Sequence, residues 1–240
     1  MKEWSYHPSS SINKSVAESL TVFPRESDMT HTLLRVFWNL WVRLFLKIYF
    51  RLSIKGRGHL PRKKSFVLIA NHSSHLDALC LTAALPLKSI NRTFSIAAKD
   101  YFFSSFWRSL FSAIFINALP FDRQDEKRES LELCANLLKV SDQVLLMFPE
   151  GTRSLTGEIQ AFKKGIGILV AGVDRLVVPA YIDGAYQAWP KGNKVPKPRH
   201  VLVCLGQSIN FAEIPRTEEG YQKVAQLCES AVRNLKPQFK

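Results

Sequence analysis

Hydrophobic and polar positions change their period along this chain, and the change predicts two kinds of structure. Residues 33–52 read LLRVFWNLWVRLFLKIYFRL, in which a polar residue recurs at every fourth position and so keeps to one stripe of a helix. After residue 64, short apolar runs such as SFVLIA alternate with longer segments of helical periodicity. Gly56, Gly58 and Pro61 separate the two regions. The pattern predicts a long N-terminal helix followed by an α/β domain.

The alternation beyond residue 64 predicts strands and helices in turn. The predicted strands are 65–70, 94–98, 113–116, 143–148, 176–182 and 201–205, and the predicted helices are 77–85, 101–111, 126–140, 164–173 and 217–235. Strands that alternate with helices favour a mostly parallel central sheet covered by helices on both faces. Such sheets bind ligands outside the carboxyl ends of their strands.

Charge is distributed unevenly along the 240 residues. The chain has 33 Lys and Arg against 20 Asp and Glu, a net charge of +13, which indicates an anionic partner. No acidic residue lies between Asp28 and Asp77, although nine basic residues do: Arg35, Arg43, Lys47, Arg51, Lys55, Arg57, Arg62, Lys63 and Lys64. Because this positive charge lies beside the most apolar segment, we expect an anionic phospholipid membrane as partner and no nucleic acid.

The N-terminal helix has three possible settings. Its roughly 20 residues are long enough to span a bilayer, but each central cation costs about 2.5–3.5 kcal/mol and each large aliphatic residue returns only about 0.3–0.6 kcal/mol. A helix lying in the membrane interface keeps its cations at the headgroups, and a helix packed on the core is the third alternative. We predict a polar flexible arm over residues 1–30, an amphipathic membrane-docking helix over residues 31–55 and an α/β domain over residues 56–240.

The four cysteines indicate the cellular compartment in which the protein works. Cys80, Cys134, Cys204 and Cys228 show no metal-binding spacing, which favours reduced thiols in the cytosol. Residues 1–30 are polar and contain no apolar core of a secretory signal. We therefore expect a peripheral or monotopic protein at the cytoplasmic face of a membrane, with no cofactor and no metal ion.

A first candidate site follows the strand predicted at 65–70. Asn71-His72-Ser73-Ser74-His75-Leu76-Asp77 offers an imidazole and a carboxylate five residues apart. Asp77 can fix the tautomer of His72 and stabilise its protonated form, so that the second ring nitrogen accepts a proton from a substrate hydroxyl. The alternatives are that Asp77 only caps the next helix, or that His75 is the base; the position of His72 directly after the strand favours His72.

A second candidate site follows the strand predicted at 143–148. In Phe148-Pro149-Glu150-Gly151-Thr152-Arg153-Ser154, Gly151 permits close approach of a ligand to the backbone, and Arg153 offers a planar fork for a phosphate. Glu150 is a candidate to orient that arginine or to bind an acceptor hydroxyl, and Thr152 completes the turn. A plain surface turn is the alternative. Further cations that can add charge to the same pocket are Lys99, Arg123 and Lys163.

These residues resemble the glycerolipid acyltransferase family, which includes glycerol-3-phosphate and 1-acylglycerol-3-phosphate acyltransferases. NHSSHLD and FPEGTR are similar to the first and third sequence blocks of that family, and Val178-Pro179-Ala180 is similar to its fourth, a strand ending in proline. The second block departs from the family pattern, because Ser112 replaces a glycine and the arginine, Arg123, comes several residues late. The resemblance covers roughly residues 54–210.

The resemblance implies direct acyl transfer from acyl-CoA or acyl-carrier protein to the hydroxyl of a lysophospholipid. His72 would be the base and Asp77 its partner, while Glu150, Gly151 and Arg153 would bind the phosphate region of the acceptor. The leading expectation is acylation of 1-acyl-sn-glycerol-3-phosphate to phosphatidic acid. Acylation of another lysophospholipid or of glycerol-3-phosphate, transacylation between phospholipids, and a silent membrane-binding module are the alternatives.

Overall fold

The computed structural model describes residues 29–98, 118–121 and 129–237. Its helices are α1 (Met29–Tyr49), α2 (Asp77–Ala84), α3 (Glu129–Leu137), α4 (Gly165–Val170), α5 (Ala185–Ala188) and α6 (Glu218–Arg233). Its strands are β1 (Ser53–Lys55), β2 (Phe66–Ala70), β3 (Thr93–Ala98), β4 (Ala118–Phe121), β5 (Val144–Met147), β6 (Leu176–Asp183), β7 (Leu202–Leu205) and β8 (Ile209–Asn210).

One sheet organises the described residues. The strand order is β1-β7-β6-β2-β5-β3-β4, and β8 pairs with β6 beside that path. The pairings of β6 with β7 and with β8 are antiparallel, and the other pairings are parallel. The predicted mostly parallel sheet covered by helices is therefore confirmed.

The central strand β2 shows how the sheet builds two cores. All five of its residues are buried, and successive side chains point to opposite faces. Phe66, Leu68 and Ala70 pack in a cluster with α1 and α2, whereas Val67 and Ile69 pack in a second cluster with α3, α4 and α6. A strand covered on both faces must be apolar at every position, which explains the continuous run FVLIA.

Strand β6 accommodates a proline in the middle of the sheet. Val177 pairs with β8 on one side of Pro179, and Ala180 pairs with β7 on the other side. Pro179 therefore lies at the change of partner, where its missing N–H leaves no ladder bond unmade. The strand predicted over residues 176–182 is thereby confirmed, with its end one residue later at Asp183.

Helix α1 turns much of its polar stripe toward the domain. Asn39 is buried and its side-chain amide donates to the Arg35 carbonyl. Arg43 Nη2 lies 3.0 Å from the Thr82 carbonyl oxygen and 2.7 Å from that of Leu85, where carbonyls at the end of α2 lack helical donors. The expectation that the polar stripe lies at lipid headgroups is therefore wrong for Asn39 and Arg43.

The opposite side of α1 is apolar and exposed. Its side chains are between 41% and 69% exposed and form what we call the apolar face: Leu33, Phe37, Leu40, Trp41, Leu44, Phe45 and Ile48. Leu46, fully buried, anchors the other side of the helix in the core. No helix among residues 29–98, 118–121 and 129–237 combines the length and the hydropathy that crossing a membrane requires.

The other predicted boundaries divide into three groups. Predicted elements after residue 64 that fall in the described residues are present, with ends within three residues of the expected ones. The helix predicted over residues 31–55 ends at Tyr49, and Ser53–Lys55 forms the edge strand β1 instead. The predicted helix 101–111 and strand 113–116, and residues 1–28 of the predicted arm, lie outside the described residues.

The contacts of Arg43 predict a stabilising role that its exposed neighbour lacks. Replacing Arg43 by Met removes the donor to two carbonyl groups and should lower the free energy of unfolding by about 1–3 kcal/mol. Lys47→Met is the matched control, because Lys47 is exposed on the same helix and should change stability by less than about 0.5 kcal/mol. Urea unfolding of both variants measures the difference; equal effects would show that the contacts of Arg43 contribute nothing.

Candidate active site

The two motifs meet at one edge of the sheet. Strands β2 and β5 are parallel neighbours, so their carboxyl ends lie side by side. Residues 71–77, the histidine loop, follow β2, and residues 148–154, the arginine turn, follow β5. The Ser154 N–H donates to the His72 carbonyl at 2.8 Å, which joins the two segments directly. The sequence places each motif directly after a strand, and the structure brings the two together at one rim of the sheet.

Asn71 fixes the start of the histidine loop. Its side-chain amide donates to the Ile182 carbonyl at 3.0 Å, and its side-chain oxygen accepts from the Ile182 N–H at 2.8 Å. The buried side chain thus continues the β2–β6 ladder beyond Ala70, the last paired residue of the strand. The chain is free to turn away from the sheet while its neighbour strand stays fully bonded.

The Asp77 carboxylate gathers the loop around one oxygen. Asp77 Oδ2 accepts from His72 Nδ1 at 2.8 Å and from the N–H groups of Ser73 at 2.7 Å and Ser74 at 2.8 Å. Asp77 is fully buried, whereas 22% of the His72 side chain is exposed. Because Nδ1 carries the proton donated to Asp77, the lone pair of His72 Nε2 is free to accept one. This is the arrangement of a general base with an orienting carboxylate.

The arginine turn also fixes the position of the imidazole. The ring of Phe148 stacks on the ring of His72, with centroids 4.0 Å apart and planes 15° apart. Together with the bond from Ser154 to the His72 carbonyl, this contact leaves the ring little freedom to rotate away from Asp77. Neither Phe148 nor Ser154 has a role in the sequence-based prediction, although both belong to the Phe148–Ser154 motif.

Glu150 is buried beneath the histidine loop, and only 2% of it is exposed. Its Oε1 accepts from the His72 N–H at 2.8 Å, and its Oε2 accepts from the Gln160 N–H at 3.2 Å. Burial raises the pKa of this carboxyl from 4.5 to about 7, and the two backbone donors oppose that rise. The expectation that Glu150 orients Arg153 is not met, because both of its oxygens are bound to backbone groups of other residues.

Arg153 lies against the second histidine of the motif. Arg153 Nη1 is 2.7 Å from His75 Nδ1 and 2.5 Å from Nε2, and the Trp189 ring lies 5.1 Å from the His75 ring. Burial, and then the charge of Arg153, lowers the pKa of His75 to about 4. His75 is therefore neutral at physiological pH and accepts from the guanidinium, while Asp77 contacts His72 and not His75.

Gly151 and Lys163 lie together at the arginine turn. Gly151 has a φ of +74°, a conformation that side chains disfavour, and a Cβ there would lie 3.0 Å from Lys163 Nζ. The Lys163 N–H donates to the Pro149 carbonyl, so the exposed lysine is fixed at its base beside the turn. Thr152 is half-buried. Lys99 and Arg123, the remaining predicted phosphate ligands, lie outside the described residues.

Comparison with known proteins identifies the family. Residues 51–183, slightly more than half of the chain, match the acyltransferase family. The chain belongs to this family. The resemblance seen in the sequence motifs is thereby confirmed.

Named relatives of this acyltransferase share a common description. The chain is 28% identical over 163 residues to the 1-acyl-sn-glycerol-3-phosphate acyltransferase of Limnanthes douglasii, covering 66% of this chain and 55% of that protein. It is 34% identical over 174 residues to the corresponding enzyme of Chlamydomonas reinhardtii, which covers 71% of this chain and 50% of that protein. It is 25% identical over 198 residues to the corresponding enzyme of Bacillus subtilis, which covers 81% of this chain and 92% of that protein. The chain thus spans about half the length of the first two relatives.

A solved structure shares the fold. The crystal structure of the 1-acyl-sn-glycerophosphate acyltransferase PlsC from Thermotoga maritima superposes with a TM-score of 0.61 at 21% sequence identity. The match covers 93% of this chain and 88% of that chain. The α/β architecture is therefore that of a known acyltransferase structure.

The buried carboxyl of Glu150 predicts a specific pH dependence. Its pKa is raised in the folded state, so the native protein binds more protons than the unfolded chain between pH 4.5 and about 7. The free energy of unfolding should therefore fall as pH rises through this window, by up to about 3 kcal/mol from this group. Glu150→Gln, which resembles the protonated form, should lose this component.

The measurement is urea unfolding of the parent protein and Glu150→Gln across that pH window. Glu213→Gln is the matched control, because Glu213 is exposed. The stability of Glu150→Gln relative to the parent should rise with pH, while that of Glu213→Gln stays level. Parallel curves for all three proteins would contradict the raised pKa.

Proposed function

We propose that this acyltransferase moves a fatty acyl group from an acyl thioester to the hydroxyl of 1-acyl-sn-glycerol-3-phosphate, giving phosphatidic acid. The observation that carries the proposal is the His72–Asp77 pair, held at 2.8 Å on the same rim as Arg153. The proposed acceptor is that of the relatives from Limnanthes, Chlamydomonas and Bacillus, which are 1-acyl-sn-glycerol-3-phosphate acyltransferases. The donor is acyl-CoA or acyl-carrier protein.

In the proposed reaction, the acceptor hydroxyl donates a hydrogen bond to His72 Nε2. As its oxygen attacks the thioester carbonyl, the proton passes to the imidazole, and the buried Asp77 carboxylate stabilises the positive charge that forms. The tetrahedral intermediate then collapses by breaking the carbon–sulfur bond. The thiolate leaves with the proton from His72, so the base returns to its starting state and no acyl-enzyme forms.

Arg153 and Lys163 are the cations proposed to hold the acceptor phosphate. Both lie at the arginine turn, next to the loop that carries His72. The guanidinium offers a bidentate contact and the ammonium a point charge. Binding the phosphate there fixes the distance of the hydroxyl from His72 Nε2, so that the binding energy is used to hold the hydroxyl in position for reaction.

Glu150 is proposed to act on the acceptor only indirectly. Its carboxylate bonds to the N–H of His72 itself, so it holds the base in place from beneath. Glu150 is only 2% exposed, and each of its oxygens already accepts from a backbone N–H. Glu150 is therefore a positioning residue in this proposal.

A membrane surface is the proposed working environment. The acceptor and product are lipids, and the apolar face of α1 is a contiguous set of exposed large side chains, a feature that marks interaction surfaces. We propose that this face enters the interfacial region of a bilayer at its cytoplasmic side, with α1 lying on the membrane.

The base assignment predicts that His72→Ala loses most of its acyl transfer activity. Loss of general base catalysis should lower kcat by about a hundredfold to ten-thousandfold. The assay combines purified protein, vesicles, oleoyl-CoA or oleoyl-acyl-carrier protein and a panel of lysophospholipids, with products read by mass spectrometry. His200→Ala is the control, since His200 is exposed and contacts Ser53 rather than a carboxylate, and it should retain activity.

The outcomes of this assay separate the alternatives. Product from another lysolipid alone would keep the chemistry and change the acceptor. Product in His72→Ala at the parent rate would contradict the assignment of the base. Absence of product from the parent with every donor and acceptor would favour a silent binding module.

The phosphate assignment predicts that Arg153→Ala acts mainly on the acceptor. Its apparent KM for 1-acylglycerol-3-phosphate should rise by about tenfold to a hundredfold, the range expected for a lost charged hydrogen bond. A monoacylglycerol, which lacks the phosphate, is the matched acceptor and should lose little. An equal loss with both acceptors would argue against phosphate recognition by Arg153.

A further inference from the structure

The positive charge of this chain lies in two acid-free segments. Residues 29–76 and 184–212 contain no Asp or Glu, and together they hold thirteen Lys and Arg residues. The rest of the chain therefore has twenty basic and twenty acidic residues and no net charge. The excess of +13 is a property of these two segments alone.

The fold places the two segments side by side. Strand β1 of the first pairs with β7 of the second, from Ser53↔Leu202 to Lys55↔Cys204. The Val201 N–H also donates to the Phe50 carbonyl at 3.0 Å. Segments about 150 residues apart in sequence thus build one region of the molecule, beside α1.

The second segment presents its charge on one connection. Residues 190–199, which we call the basic loop, lie between α5 and β7. Its four cations are all exposed: Lys191, Lys194, Lys197 and Arg199. The ion pairs found within residues 29–98, 118–121 and 129–237 involve none of them. Val195, between the lysines, is 71% exposed.

The basic loop is held in shape by hydrogen bonds to residues that flank it. Trp189 Nε1 donates to the Asn193 carbonyl at 2.8 Å, and the Lys197 N–H donates to the Ala188 carbonyl at 2.8 Å. Tyr49 Oη, at the end of α1, donates to the Pro196 carbonyl at 3.1 Å. An anionic surface that binds this loop therefore meets a backbone that is already ordered.

The other end of the basic loop touches the histidine loop. Ser74 Oγ donates to the Trp189 carbonyl at 2.7 Å, Ser74 forms an isolated bridge with Pro190, and the Trp189 ring lies 5.1 Å from that of His75. One connection thus joins α1, the basic loop and the loop that carries the proposed base.

We propose that the basic loop is a second membrane contact, which binds the phosphate groups of an anionic bilayer while the apolar face of α1 enters it. Two contacts orient the protein, and the link through Ser74 then holds the histidine loop near the lipid surface. The continuity with α1 and the exposed Val195 between cations favour a bilayer over an acidic protein. The role of this contact rests on the proposed function, since the contact would bring His72 close to a lipid acceptor in the membrane.

The test is neutralisation of the loop, with Lys191→Gln, Lys194→Gln and Lys197→Gln combined. The matched control combines Lys139→Gln, Lys223→Gln and Lys236→Gln, which remove the same charge from exposed positions in or next to α3 and α6, on the other face of the sheet. The 240-residue proteins are sedimented with phosphatidylcholine vesicles that contain increasing fractions of phosphatidylglycerol. Acyl transfer to a water-soluble short-chain lysophosphatidic acid is measured in parallel.

The loop variant should bind anionic vesicles at least about tenfold more weakly, since each basic residue near such a surface contributes roughly fivefold. Its binding to pure phosphatidylcholine and its turnover of the soluble acceptor should match the parent. Unchanged binding to anionic vesicles, or an equal loss in the control variant, would overturn the inference. So would intact vesicle binding with slower transfer from acyl-carrier protein alone, which would assign the loop to an acidic carrier.

A further variant separates this inference from the proposed function. Leu44→Ser combined with Ile48→Ser weakens the apolar face only, and it should reduce binding to neutral and anionic vesicles alike. The vesicle measurements do not depend on turnover. An inactive parent protein whose vesicle binding still requires the basic loop would contradict the proposed function and leave this inference standing.

Discussion

One carboxylate oxygen organises the candidate site. A buried charge is costly unless donors surround it, and Asp77 Oδ2 has three: the His72 ring and the N–H groups of Ser73 and Ser74. These donors converge only if the chain turns directly after β2 and starts α2 at Asp77, where the helix N-terminus also favours negative charge. The geometry of the candidate site and the local fold are therefore one requirement, because the turn that gives Asp77 Oδ2 its three donors is also the turn that orients the imidazole.

The carbonyl groups at the other end of α2 also need hydrogen-bond donors. That helix has only eight residues, and its last carbonyls accept from Arg43 of α1 and from Arg57, which bonds to Ala83 and Ala84. The N-terminal helix is thus tied to the element that carries Asp77. Two arginines that composition alone assigns to an anionic partner instead cap carbonyl groups of the protein's own helix, because buried carbonyl groups need donors.

Sequence patterns predicted what depends on neighbours along the chain. The apolar runs of β2 and β5, and the motifs that follow them, were placed correctly because burial and turns leave a local signal. The inward direction of Asn39 and Arg43 was not predicted, because the sequence pattern of a polar stripe is the same whether the stripe faces water or unpaired carbonyl groups. Trp189 was missed for a related reason: its contacts with Ser74 and His75 join positions more than a hundred residues apart, and no spacing encodes them.

The orientation of α1, with Asn39 and Arg43 toward the domain and the apolar face outward, indicates what the exposed surface binds. With Asn39 and Arg43 of the polar stripe turned toward the domain, the outer side of α1 carries large apolar side chains at seven exposed positions, which oppose solubility unless an apolar environment covers them. The charge distribution also distinguishes this region. The rest of the chain is electrically balanced, and the excess positive charge lies in the two segments joined by β1 and β7. An apolar helix face and an unbalanced cationic region in one part of the molecule match a surface that is itself divided into hydrocarbon and anionic headgroups. The fold therefore places the proposed base next to the elements best suited to meet the lipid that it would acylate.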